Sequence, residues 1–162
     1  MPVGKHLVTR LGPMEIPDDP AEFPAQLRRA IGRLNRRLRQ TRAGADLTPS
    51  QYEVLATIVN RGPVRHAELA VIEGLNPTML SRIVGKLETG GLVTRLADTV
   101  DGRVVHVAAT KRGRDLVDRI RRERSDTLSL ALKVLSEDEQ QKLLIALPVL
   151  ESLADSLGER PV

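Results

Sequence analysis

The chain of 162 residues contains no cysteine and no tryptophan, one tyrosine (Tyr52) and one phenylalanine (Phe23). Without cysteine there is no disulfide, no thiolate metal site, no cysteine nucleophile and no thiol-based redox sensing. With so few aromatics, the stacking platforms on which single-strand binders lay their bases cannot be built, so a nucleic-acid partner is expected to be a duplex. No apolar run approaches the roughly 18 residues of a membrane span, and no signal-peptide core follows Lys5 and His6. The expectation is a soluble, cytoplasmic protein with no membrane partner. A marked excess of either charge is missing too: 25 Lys+Arg stand against 21 Asp+Glu, a net charge of +4. That balance favours a polyanionic partner without demanding one. The length suits one domain, or one domain with an oligomerisation arm.

Residues 1–24 carry Pro2, Pro13, Pro17, Pro20 and Pro24 with scattered charge and no periodicity, which reads as an extended, flexible arm. The pattern then turns helical. Leu27, Ile31, Leu34 and Leu38 recur at helix spacing, while Arg28, Arg29, Arg33, Arg36, Arg37 and Arg39 crowd the other faces. The segment "LTPSQYEVLATIVNRGP" announces a second helix: Leu47 as staple, Thr48 as N-cap, Pro49 at the first position and Gln51 closing a capping box. Its core face is expected at Tyr52, Leu55, Ala56 and Val59, and Gly62-Pro63 ends it.

In "HAELAVIEGLNPTMLSRIVGKLETGG" a short helix with Leu69 and Ala70 stops at Gly74. Asn76 then caps and Pro77 opens another, with Leu80, Ile83, Val84 and Leu87 inward. Two helices joined by a tight glycine-containing turn make a helix-turn-helix. Two strands are expected next, at 92–96 and 103–107, around Asp101-Gly102, a strong hairpin signal. Thr110 caps a helix over about 111–135, and Ser136 caps the last one, whose Glu137, Asp138 and Glu139 suit the positive end of its dipole. Leu143, Leu147, Leu150, Ala154 and Leu157 then follow a heptad-like seam, with Pro148 predicting a kink or break within it.

The polar turn between the strands admits three readings: a metal loop, a catalytic carboxylate pair of Asp98 and Asp101, or a hairpin tip that touches something negative. No nucleophile or phosphate loop accompanies the carboxylates, and His66 and His106 form no metal-ligand spacing with each other or with His6. The expectation is therefore no enzyme, no metal and no cofactor. A helix-turn-helix followed by a hairpin is the winged-helix arrangement. Its second helix enters the major groove and its wing reaches the neighbouring minor groove or backbone. The face of that helix turned from its apolar side holds Thr78, Met79, Ser81, Arg82, Gly85 and Lys86, polar or basic enough for base edges and phosphates. A winged helix used for protein interaction without DNA is the competing reading.

The motifs "LTPSQYEVL", "ELA", "SRIVGKLETGGLVTR", "DGR" and "TKRG", in this order and spacing, resemble the MarR family of bacterial transcriptional regulators over about 26–157. The resemblance implies a mainly α fold with a small β-hairpin wing: a winged helix-turn-helix at 47–110, with 25–46 and 111–162 forming a helical dimerisation region. It also implies an obligate homodimer on a pseudo-palindromic double-stranded operator, and repression relieved by a small-molecule effector. The DNA-facing candidates are Arg65, His66, Asn76, Thr78, Met79, Ser81, Arg82, Lys86 and Arg103. Arg95, Asp101 and Gly102 would support the wing, Arg95 by bracing it against Asp101. Leu27, Ile31, Leu34, Leu143, Leu147, Leu150 and Leu157 would form the dimer interface. The arginines of the first helix are either solvated or meet Glu151 and Asp155 of a partner's last helix, and the second reading is favoured because those two carboxylates lie near the seam. Three departures from the family pattern stand out: Met79 replaces a small hydroxyl residue, Gly102 replaces the second wing cation, and Arg65 replaces a capping Ser or Thr.

Overall fold

A computed structural model describes residues 21–40, 42–97 and 105–158. The chain divides into two compact units, Met1–Arg37 and Leu38–Val162. The first holds all but the last residue of α1 (Glu22–Leu38). This helix starts inside the expected arm and runs through Pro24, because a proline in the first turn lacks only an N–H that has no intrahelical partner anyway. None of its residues is buried, and Ile31 and Leu34 are 48% and 56% exposed.

The second unit begins its regular structure with α2 (Pro49–Arg61). Its capping box is complete: the Thr48 N–H donates to Gln51 Oε1 at 2.7 Å, and the Gln51 N–H donates to Thr48 Oγ1 at 3.3 Å. Tyr52, Val54, Leu55, Ala56 and Ile58 are buried. Val54 and Ile58 were not on the expected face, and Val59, which was, is only half-buried. The cause is that α2 packs against α4, α5 and β3 together, so more than one stripe of it turns inward.

A two-residue strand β1 (Val64–Arg65) precedes α3 (His66–Ile72), α4 (Pro77–Thr89), β2 (Val93–Ala97) and β3 (Val105–Ala109). The strands form an antiparallel sheet in the order β1-β3-β2, with Val64 opposite Val107 and Val93 opposite Ala109. The hairpin strands end one to two residues further along the chain than the alternation predicted. β1 was missed altogether, since nothing local marks two residues that pair with a strand forty positions away. Between α3 and α4, Gly74 takes φ +60°, a conformation that costs an L side chain and not glycine. The core joins α2, α3, α4, the sheet and the first half of α5 through fully buried Leu55, Ile58, Leu69, Leu80, Leu87 and Ile120.

Helix α5 (Lys111–Leu132) stops three residues short of the expected end. The Val134 and Leu135 N–H groups bond back to the Ala131 and Leu132 carbonyls, a tightened last turn that frees Ser136 to cap α6. Ser136 Oγ accepts from the Glu139 N–H at 3.3 Å while Glu139 Oε2 accepts from the Ser136 N–H at 2.8 Å. Helix α6 (Glu137–Gly158) continues through Pro148, so the expected break is absent. The single hydrogen bond that a proline removes is outweighed by the turns on either side.

Candidate nucleic-acid interface

Helix α4 is set by its own sequence. Asn76 Oδ1 accepts from the Met79 N–H at 2.8 Å, Pro77 occupies the first turn, and Leu80, Ile83, Val84 and Leu87 are buried. With that stripe inward, Thr78, Met79, Ser81, Arg82 and Lys86 fall on the exposed side. Five of the expected DNA-facing residues thus share one helix face. Met79 is 44% exposed, which leaves its thioether available for an apolar contact such as a thymine methyl. Asn76 spends its carbonyl oxygen on the cap and keeps only its amide hydrogens for a partner.

Arg65 and His66 stand at the start of α3. Arg65 is the N-cap of that helix and makes no side-chain cap bond, as expected of an arginine there. Its side chain is exposed. His66 lies with its Nε2 3.3 Å from Ser81 Oγ on α4. Burial, and after it the positive charge of Arg95, lowers the His66 pKa below the ordinary 6.5. The sequence nominated both residues but carried no sign of this contact, which spans fifteen positions.

Arg95, on β2, is placed against α4: its Nη1 lies 3.2 Å from Glu88 Oε2. The wing strand is therefore tied to the end of the candidate reading helix, a pairing that the sequence reading did not foresee. The expected brace of Arg95 against Asp101 falls outside the described residues, as do Gly102 and Arg103. The base of the wing is fixed at Thr110, whose hydroxyl donates to the Gly91 carbonyl at 2.7 Å and accepts from the Gly113 N–H at 3.1 Å. The Thr110 N–H donates to the Leu92 carbonyl at 3.0 Å. One threonine thus caps α5 and joins it to the start of β2.

The dimerisation candidates on α6 are unburied: Leu143, Leu147, Leu150 and Leu157 are 39–65% exposed. On α1, Leu27 is half-buried. Arg39 is engaged within its own unit, 3.5 Å from Glu53, and this corrects its grouping with arginines that await a partner subunit. A shallow cleft with about 40 Å³ of free volume lies between α2, the loop before it and α5, lined in part by Leu47, Tyr52, Glu53, Ile120 and Arg124. There the Arg124 guanidinium sits 4.0 Å from the Tyr52 ring centre with its Nε buried and without a hydrogen-bond partner. Among the described residues no cluster of His, Asp or Glu could hold a metal ion, and no helix is long and apolar enough to cross a membrane.

Residues 47–105 match the model of the MarR family. An HTH-type transcriptional regulator of Mycobacterium bovis is 31% identical over 138 residues, covering 85% of this chain and 96% of its own length. Among solved structures, a transcriptional regulator from Pseudomonas aeruginosa is 34% identical, with TM-score 0.74 over 82% of this chain and 94% of that one. A MarR family protein from Bacillus stearothermophilus shares the fold at 23% identity, with TM-score 0.73 over 86% and 95%. These relatives are regulators of transcription and not enzymes, and the chain belongs to the MarR family of winged helix-turn-helix transcriptional regulators.

Proposed function

We propose that the protein is a homodimeric, sequence-specific repressor that binds a pseudo-palindromic duplex operator and releases it when a small molecule binds. The observation that carries the DNA-reading role is α4, whose apolar stripe is fully committed to the core while Thr78, Met79, Ser81, Arg82 and Lys86 stand exposed together. Short polar groups and an arginine toward base edges, with a lysine toward phosphates, are what a major-groove helix needs. Arg65, His66 and Asn76 flank that face, and Arg103 supplies the wing's probe. With Gly102 in place of a second cation, Arg103 carries most of the wing's contribution.

The homodimer is supported by α6. Leu144, Ile145 and Val149 are 60%, 66% and 68% exposed beside the leucine seam, apolar side chains that a second copy would take out of water. A second copy covers it with its own helices at 25–46 and 111–162, leaving 47–110 to DNA. Since Val117 and Ile120 of α5 lie in the core with α2, that helix belongs to both regions. Arg28, Arg29, Arg33, Arg36 and Arg37 then meet Glu151 and Asp155 of the partner. Dimerisation sets two α4 helices about 34 Å apart, one turn of duplex.

For the effector, the cleft beneath Arg124 is the favoured entry. It lies against α5, so filling it can shift the dimer arm relative to α4 and spoil the spacing. Selection of duplexes from a random pool tests the reading: the enriched sequence is an inverted repeat, and enrichment of none would overturn it.

A further inference from the structure

His66, the first residue of α3, and Ser81, in the second turn of α4, meet at the surface with 3.3 Å between Nε2 and Oγ. The ring is half-buried and the serine is exposed. A serine hydroxyl has one hydrogen, which rotates to suit its neighbour, and lone pairs that accept. A neutral imidazole has one bare nitrogen and an imidazolium has none. If Nε2 is bare, Ser81 donates to the ring and turns its lone pairs outward. If Nε2 carries a proton, the ring donates to one Ser81 lone pair, and the Ser81 hydrogen and its other lone pair both face outward.

We propose that His66 is a specificity-determining positioning residue: its ring holds the Ser81 hydroxyl and decides whether Ser81 offers a base edge an acceptor alone or a donor as well. The inference rests on α4 being the DNA-reading helix. In the major groove C and A present amino donors, whereas G, T and the N7 of A present acceptors. A ring that takes the Ser81 hydrogen therefore favours C or A at one position of each half-site, and a ring that donates admits G and T as well.

The charges around the ring fix the sense of the change. Burial, and after it Arg95 of β2, lower its pKa and favour the neutral ring near pH 7; Glu88 of α4 balances Arg95 at 3.2 Å. On its own helix Glu68 is engaged with Arg61 at 4.0 Å, and on β3 His106 stands opposite Arg65. In its Nδ1–H tautomer the neutral ring leaves Nε2 bare, and Ser81 faces DNA as an acceptor. In acid Nε2 must carry a proton, and Ser81 can donate as well as accept.

The test is selection from a random-sequence duplex pool by the full-length protein at about pH 8 and about pH 5.5, on either side of the ordinary histidine range. At one base pair per half-site, the wild-type preference for C or A over G or T at about pH 8 is about fivefold, the worth of one hydrogen bond, and acid removes it. His66→Gln keeps a partner for Ser81 without titrating, so its preference is the same at both pH values. Ser81→Ala loses the preference at that base pair alone. In the DNA-free protein, nitrogen NMR reports a bare Nε2 that shifts in Ser81→Ala. A wild-type profile unchanged by pH, or a protonated Nε2 in the neutral ring, overturns the inference and leaves the DNA-reading assignment standing. A wild-type protein that enriches nothing overturns both.

Discussion

Gly113 lies so close to Leu92 that a β-carbon on it would stand 2.1 Å from the Leu92 carbonyl oxygen. The first turn of α5 is thereby pressed onto the strand that begins the wing, where Thr110 hydrogen-bonds to both Gly91 and Leu92. The contact is backbone on one side, so neither a rotamer change nor a flexible side chain can relieve an added methyl. Gly113→Ala is expected to cost about 3 kcal/mol, the upper part of the range for overpacking. Urea unfolding checks this, and an unchanged midpoint would show that the joint can open without penalty.

The capping box of α2 makes a milder prediction. Thr48→Ala leaves the Gln51 N–H without its acceptor and should lower stability by about 1 kcal/mol. The same unfolding experiment reads it, with no change expected in DNA affinity once the variant is folded.

The apolar surface of α6 predicts assembly. Leu147→Glu combined with Leu150→Glu places two charges on residues that are 48% and 39% exposed in a single subunit, so the fold of residues 47–110 should survive. Sedimentation should show a monomer with an unchanged helical spectrum. A dimer that persists would locate the interface elsewhere.

Acid should weaken the fold through His66. Its pKa is lowered in the folded protein by burial and then by Arg95, so the unfolded chain takes up the proton more readily. Stability therefore falls as pH drops below the unfolded value of about 6.5 and levels off below the folded one. His66→Gln should flatten the pH dependence of the unfolding midpoint in that window, with the other titrating groups unchanged. An identical slope in the variant would mean that the ring is as well solvated folded as unfolded.

The parts of this structure that were legible in the sequence are those written locally. Thr48, Asn76, Thr110 and Ser136 each stand at a helix start, because a cap acts within three residues of itself. The buried stripe of α4 was legible for the same reason, as a single face with a single period. Val54 and Ile58 were not, since α2 is enclosed from several sides and its pattern blurs. Strand β1, the Arg95–Glu88 pair and the His66–Ser81 contact depend on partners brought together only by folding. Arg124 over Tyr52 is of the same kind: both residues looked ordinary until α2 and α5 were side by side. Of the candidate interface, the shared face of α4 was readable and its polar wiring was not.

The central claim is that the exposed face of α4 reads duplex DNA, and the most direct measurement is affinity for a selected inverted-repeat duplex across a salt series. The wild-type protein should bind with a logarithmic salt slope of about −0.9 per phosphate neutralised. Lys86→Ala should reduce that slope by about one unit while lowering affinity for all duplexes alike, and Arg82→Ala should cost about tenfold or more on the selected sequence. Binding that is absent, or that neither salt nor either substitution alters, would contradict the assignment of α4 to DNA.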